Sequence, residues 1–504
     1  MVLPRVFPLL VVGGALVAQT PAPAGPLRLT LQDAISTSLK NNLQVQIARE
    51  VRSITQSGVL NAEGSFDWNL ASSLSWSKAE STTFRSAIAG SAPTKNETDS
   101  WTRQFSASLS KPFEWGGTFS MSYAPAYSFA SGTVTSPTAV TPFATVAPYS
   151  GSMSATYTQS LLKGFGREDT GSALMVARIG ARTADLTFQA SIINLVASTE
   201  SAYWDLVYGQ RNLETRTQAL ELARKQLKEN RIRVEVGTMA PLDVVNAEAA
   251  VAQAEQNIIA AEAQLVIARE ALIRTLFPNA ERPAGIETVD APNLSHIQLK
   301  DEEAEKMALA RRVELRSAKL DLESKTILAK AADNRTKPQL DAFATFSGTS
   351  DNYKAVGPVN GDLFNSRNPG YTVGLNFSYP LQGKAAKGSQ AAARASRRSS
   401  ELSLRDQELG VVLEVRTALR NLEAAEKGVK AAEKTRIFRQ KDLEAEQKKF
   451  DNGMSTNFLV LTKMTDLDNA RSAEVQAQIA YAKNVTSLEK AVGNLLEARG
   501  LKLE

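Results

Sequence analysis

Two periodicities alternate along this chain. Between Tyr371 and Leu381, the residues Val373, Leu375, Phe377, Tyr379 and Leu381 alternate with Thr372, Gly374, Asn376, Ser378 and Pro380. A repeat of two puts successive side chains on opposite faces of a strand. The same alternation runs through Met153, Ala155, Tyr157 and Leu161, with Ser152, Ser154, Thr156 and Thr158 between them. Two further strands are predicted at Phe66–Trp76 and Pro338–Phe346. Each covers about 9 to 11 residues, the length a tilted strand needs to cross a bilayer. Four of the five Trp and seven of the ten Tyr fall in these strand or strand-loop regions, which makes Trp68, Trp76, Tyr371 and Tyr379 candidates for the aromatic belt of a membrane interface. Alternation alone also suits a soluble sandwich with one wet face. The polar face of small, uncharged Ser, Thr, Asn and Gly favours a membrane barrel.

The second periodicity is helical. From Asp169 to Val236 there are 68 residues without proline, and from Lys384 to Asp451 another 68. At about 1.5 Å per residue each rod is roughly 100 Å long. In the first, Leu206, Leu213, Leu220, Leu227 and Val234 recur every seven residues; the second has Leu422, Val429, Arg436, Leu443 and Phe450. A sustained heptad keeps one seam in contact, and Arg436 is its exception. Shorter helices are predicted at Gln32–Asn61, Pro241–Phe277, Asp301–Thr336 and Asn457–Glu497. Ten alanines among the 25 residues from Ala247 to Ala271 prepare the second of these for close helix approach. Gly237 and Gly453 sit just past the rod ends, where a left-handed residue terminates a helix. Pro241 then opens the return helix, with Asp243 in its first turn. An antiparallel coiled coil without a channel would carry the same pattern.

The two periodicities occur twice. VGTMAPLDVVNAEAAVAQAE from Val236 resembles NGMSTNFLVLTKMTDLDNARSAE from Asn452, an offset of 216; LTLQDAISTSLKNNLQV from Leu29 resembles LKDEEAEKMALARRVEL from Leu299, an offset near 270. The reading is a mainly α chain with membrane β, built as two structural repeats, 25–282 and 283–504. The difference, 270 − 216 = 54 residues, is an excess in the first repeat, within the stretch from Ser77 to Pro148. It contains a further hairpin, QFSASLSKPFEWGGTFSMSYAP. That hairpin either widens a barrel or projects outward as a flap. Four strands per chain leave open sheet edges that hydrocarbon cannot satisfy. Several copies are therefore required, and three would close at least 12 strands.

Composition adds compartment and removes chemistry. Residues 1–24 (MVLPRVFPLLVVGGALVAQTPAPA) have an early arginine, a short apolar run and small residues, the pattern of a cleaved secretory signal and linker. Cleavage is expected between Ala18 and Ala24. The run is too short to span a bilayer. There is no cysteine and one histidine, His296 in a loop-like stretch, which removes thiolate and most imidazole chemistry. The segment GKAAKGSQ from Gly383 lacks the order of a phosphate loop, and Glu302, Glu303 and Glu305 read as a solvated helix face. No catalytic or metal site and no cofactor is expected. A net charge of +5 without an aromatic-interleaved basic patch gives no reason to expect nucleic acid.

The combination of LTLQDAISTSLKNN, YWDLVYGQRNLE from Tyr203, VGTMAPLDVVNAEAAVAQAE, FSYPLQG and NGMSTNFLVLTKMTDLDNA resembles the TolC-like outer-membrane efflux proteins, in their two-repeat order from about Leu27 to Leu496. The resemblance implies a homotrimer in the outer membrane of a Gram-negative-type bacterium, with a β-barrel in outer-membrane lipid and a 12-helix α-barrel across the periplasm. It also implies an exit duct for an inner-membrane transporter, joined through a periplasmic adaptor, in efflux or type I secretion. By the same resemblance, Val236, Gly237, Thr238, Asn452, Gly453 and Met454 are the adaptor-contact tips, and Asp243, Phe450, Ser455, Leu459 and Thr462 the pore gate. Phe450, Ser455, Leu459 and Thr462 depart from the polar residues of the family's best-known member, so the expectation is a more apolar gate centred on Leu459. A stand-alone porin and a structural periplasmic coiled-coil protein are the other readings. Neither uses both the rods and the membrane-length strands. The substrate is not legible.

Overall fold

The computed structural model describes residues 27–85, 93–278, 283, 285–297 and 299–501; the expected leader at 1–24 lies outside them. The first half of the chain runs β1 (Leu27–Leu29), α1 (Leu31–Asn41), α2 (Leu43–Gly64), β2 (Asn69–Arg85), β3 (Thr94–Pro112), β4 (Gly117–Thr135), β5 (Val140–Ala144), β6 (Tyr149–Ser160), α3 (Ser172–Glu235) and α4 (Pro241–Leu276). The second half repeats the plan with fewer strands: β7 (Ile286–Thr288), α5 (Asp301–Arg311), α6 (Val313–Asn334), β8 (Gln339–Thr349), α7 (Val356–Phe364), β9 (Asn368–Ser378), α8 (Lys384–Asp451), α9 (Asn457–Val492) and α10 (Leu495–Ala498). Of the two rods, α8 has the expected bounds, while α3 has 64 residues because it runs from Ser172 to Glu235. Three of the shorter helices are interrupted, the last of them at Gly493, a left-handed C-cap between α9 and α10. The first breaks at Asn42, whose side-chain amide donates to the Thr275 carbonyl at 3.0 Å and whose oxygen accepts from Gln44 N–H at 2.8 Å. The second breaks at Arg312, in extended backbone between α5 and α6.

The chain divides into two compact units, one of residues 48–190 and 312–410, the other of the remaining described residues. The first unit is built on one antiparallel sheet in the order β2-β3-β4-β6-β8-β9, with β5 pairing β4. The first-half hairpin is thus inside the sheet, between β2 and β6. Strands β2, β3 and β4 have 17, 19 and 19 residues, longer than the expected 9 to 11. Beyond Trp76 the alternation continues in polar residues such as Lys78 and Glu80, which the apolar pattern does not mark. Phe66 and Asp67 belong instead to the turn closing α2, donating to the carbonyls of Glu63 (2.9 Å) and Gly64 (3.2 Å). Helix α7 lies on the sheet, where Gly151 leaves room: a Cβ there would stand 2.8 Å from Val359 Cγ1 and 2.9 Å from Leu363 Cδ1.

The second unit holds a helical core around Tyr203, Leu206, Leu272 and Leu276, all fully buried. Gly209 of α3 lets α4 approach closely: a Cβ there would stand 3.2 Å from Leu265 Cα. A two-stranded parallel sheet, with Leu27 opposite Ile286, joins the starts of the two repeats. The Tyr203 hydroxyl lies beneath it, donating to the Leu29 carbonyl (3.1 Å) or Asp290 (3.0 Å), and burial raises its pKa. Arg436, the exception in the heptad seam, is neutralised there by Glu474 at 2.8 Å. His296 pairs with Glu426 through Nδ1 at 2.8 Å.

Candidate functional sites: the hairpin tips and the membrane face

Both rods end in the same turn. Gly237 and Gly453 have φ of +74° and +75°, a conformation that costs a side-chain-bearing residue about 1 kcal/mol or more. Thr238 N–H reaches back to the Arg233 carbonyl and Met454 N–H to the Lys449 carbonyl, both at 2.8 Å, while the glycine N–H groups donate to Val234 and Phe450 at 3.0 Å. These paired bonds satisfy the last carbonyls of each rod. They leave Val236, Gly237 and Thr238 exposed in one tip, and Asn452, Gly453 and Met454 in the other. The return helices start at once, α4 with Pro241 in its first turn and α9 with Thr456 as N-cap.

Behind the tips the gate candidates separate into two groups. Leu459 and Thr462 are exposed along one side of α9. Phe450 is buried among Ala223, Val460, Leu461 and Met464, with the Arg233 guanidinium 4.6 Å above its ring and bonded to Asp451 at 2.7 Å. It can act on a passage only by positioning its neighbours. Ser455 donates to Glu446, which Lys449 also meets at 3.3 Å; the Ser455 bond holds the Glu446 carboxyl below the ordinary carboxylate pKa. Asp243 contributes its backbone: its carbonyl accepts from Asn457 Nδ2 at 3.1 Å.

That last bond belongs to a network absent from the sequence-based candidates. Asn230 Nδ2 donates to Asn457 Oδ1 at 2.8 Å, and Gln226 Nε2 donates to Asn230 Oδ1 at 2.9 Å. All three amides are buried. They tie the α3–α4 hairpin to the start of α9. Their signal in the sequence is a stripe of polar positions, Asn212, Thr215, Gln226 and Asn230, that runs along α3 at helical spacing and is buried beside the leucine seam.

The sheet presents two chemically distinct faces. In register across it, Leu109, Met121, Ala155 and Phe346 share one face with Tyr371, and Ser108, Ser122, Ser154 and Ser347 share the other with Gly370. On the apolar face aromatic residues recur eight positions apart, Phe119 and Tyr127 on β4 and Tyr149 and Tyr157 on β6, as do Trp68, just before β2, and Trp76. Tyr371 instead stands in register with Phe346, Ala155 and Met121, and Tyr379 follows the end of β9. Eight residues are about 27 Å of strand, or about 21 Å across a layer at the usual tilt, close to the apolar band of a membrane barrel. Register aligns Trp68, Lys111, Phe119 and Tyr157 at one level and Trp76, Arg103, Tyr127 and Tyr149 at the other. At the first level Trp68 meets Phe119 edge-on at 5.9 Å, and Lys111 lies 5.2 Å above the Trp68 ring. Two aromatic levels with apolar residues between them are the pattern that the outer face of a membrane barrel carries. No helix among the described residues is long and apolar enough to cross a membrane.

A family model described as "Outer membrane efflux protein" matches residues 129–276 and 305–494. The outer membrane protein TolC of Escherichia coli (strain K12) is 26% identical over 333 residues, an alignment that takes in 64% of this chain and 66% of that protein, just under two thirds of its length. The crystal structure of the outer membrane protein VceC from Vibrio cholerae superposes with a TM-score of 0.63 at 16% identity, over 92% of this chain and 96% of that one. The solved structure of CusC gives 0.67 at 15% identity, over 92% of each. The fold described above is therefore that of solved outer-membrane channels.

Proposed function

The chain belongs to the outer membrane efflux protein family, and on that premise we propose that it is the outer-membrane exit duct of a tripartite efflux pump or type I secretion system. It works as a homotrimer in a Gram-negative-type outer membrane, extends into the periplasm, and receives substrate from an inner-membrane transporter through a periplasmic adaptor. The observation that carries this reading is that one chain holds both a sheet with two aromatic interface levels and a pair of rods ended by matching exposed glycine turns. A porin has no use for the turns.

Transport through such a duct is passive: the protein supplies a path and a gate, and the transporter supplies energy. In the resting state the tips of three copies converge. Leu459 and Thr462 face the passage on α9, so water and ions meet an apolar constriction rather than a ring of charge. The amides of Gln226, Asn230 and Asn457 hold each hairpin pair in its resting position. The adaptor engages Val236, Gly237, Thr238, Asn452, Gly453 and Met454, and its binding energy separates the pairs. A photo-crosslinker at Thr238 or Met454, introduced in the native cell envelope, should capture the adaptor. Capture at an exposed position on the flank of α4, such as Ile259, and at neither tip would overturn the assignment.

A further inference from the structure

We propose that three copies of this sheet close into an 18-stranded barrel in which the first-half hairpin is wall, giving a bore much wider than four strands per chain would provide. The inference rests on the trimeric duct reading for its copy number, and on register for everything else. Strand β3 pairs β2 along the whole of β2, from Asn69 opposite Ser110 to Arg85 opposite Thr94. Strand β4 pairs β6 from Gly117 opposite Gln159 to Tyr127 opposite Tyr149. Because β6 has β4 on one side and β8 on the other, β2 has no access to it except through the hairpin. A flap would require β2 and β6 to be neighbours.

The hairpin also carries the chemistry of a membrane wall. Phe119 and Tyr127 on β4 continue the two aromatic levels, with Leu109, Ala107 and Met121 on the apolar face between them, while Tyr123 on that face is covered by α7, its ring stacked on Phe364 and its hydroxyl donating to Asn360 at 2.5 Å. Its turn is pinned at the base of the sheet. Gly166 N–H donates to the Trp115 carbonyl (3.0 Å), Ser160 N–H donates to the Gly116 carbonyl (3.2 Å), and Arg167 pairs with Glu114 (3.2 Å). Gly116, at φ +90°, lies so close to the Gly164 carbonyl that a Cβ would stand 2.0 Å from it.

Six main strands leave two free edges, those of β2 and β9. Five successive antiparallel pairings make β9 antiparallel to β2, so the β9 edge of one copy can take the β2 edge of a second with the alternation unbroken. In lipid neither edge can remain open. With strands about 4.8 Å apart and tilted about 40°, 18 strands enclose a backbone diameter of about 36 Å, against about 24 Å for 12. The bore face is hydroxyl-rich; among the described residues its charges are Asp341 at the base and Arg85 at the far end. The barrel wall thus sets no size limit on cargo, which falls to the tips.

The test is a strand count, by electron cryo-microscopy, on the purified full-length protein in lipid nanodiscs. Eighteen strands in a threefold ring is the expected result; a ring of 12 with β3 and β4 outside it, or any other count, overturns the proposal. The chain has no cysteine, so labelling supplies a second reading without an image. Ala107→Cys faces lipid and Ser108→Cys the bore, and a membrane-impermeant thiol reagent should modify the second at least tenfold faster. Equal rates would place the hairpin in water. Neither result depends on adaptor binding: a 12-stranded ring would leave the duct reading standing, and failed capture at the tips would leave the strand count untouched.

Discussion

Replacing Asn457 by alanine should loosen the closed state of the tips. The side chain donates to the Asp243 carbonyl at 3.1 Å and accepts from Asn230 at 2.8 Å, and only 2% of its surface is exposed. Each buried hydrogen bond contributes about 1 kcal/mol net, and a donor left unpaired costs about 1–3 kcal/mol. Asn230 is left in that position, although its Nδ2 retains a longer contact of 3.4 Å to the Asp243 carbonyl, which limits the loss. The two effects together come to about 2–4 kcal/mol. If the network exists only while the hairpins are closed, the closed-to-open ratio falls by roughly 30- to 700-fold, at a factor of ten per 1.4 kcal/mol. Single-channel recording in planar bilayers reads this as a higher open fraction or a larger mean conductance. An unchanged open fraction in a variant whose thermal unfolding has dropped would refute the reasoning, because the network would then persist in both states.

Three further outcomes are expected. Leu459→Ser should raise the resting conductance by wetting the constriction, and conductance equal to wild type would count against an apolar gate at that position. Arg499→Ala strands the fully buried Glu200, which accepts from Arg499 at 2.6 and 2.9 Å and from Thr486 at 2.6 Å. It should cost about 3–5 kcal/mol in denaturant unfolding, most of it recovered in E200Q/R499M, and a loss under about 1 kcal/mol would contradict the burial argument. Ser455→Ala removes the bond that holds the Glu446 pKa below its ordinary value. A depressed carboxylate contributes stability that is present above its unfolded pKa and lost as pH falls through its folded value. The variant should therefore unfold earlier than wild type at neutral pH, and the gap should shrink as pH falls below the ordinary glutamate value of about 4.3; a gap constant with pH would exclude Glu446 as the cause.

Legibility in the sequence followed from how local each determinant is. Strand β9 and rod α8 announce themselves because the alternation from Tyr371 to Ser378 and the proline-free helical pattern over 68 residues are both sustained locally. The glycine turns were equally local. By contrast, the stretch VGPVNGDLF of α7, with two glycines and a proline, has poor helix propensity; it forms against Gly151 and Tyr123, which lie more than 200 residues earlier. The breaks at Asn42 and Arg312 fall inside otherwise continuous helical patterns, and the first is set by a partner at Thr275. The outer halves of β2 and β3 carry no apolar alternation because charged residues such as Lys78, Glu80, Glu97 and Asp99 occupy that face beyond Trp76 and Arg103. Whether the hairpin was wall or flap depended on pairings between Gly117 and Gln159, which alternation does not encode. Asn230 and Asn457 look like solvated positions until they are seen to face each other across 227 residues of chain.

The central claim is that this sheet and these rods are complete only when several copies surround a shared aqueous axis. Native mass spectrometry of the chain extracted from membranes and held in detergent tests it most directly. The account predicts a species of three chains that conducts ions when reconstituted. A stable, water-soluble single chain that forms no conducting particle would contradict it.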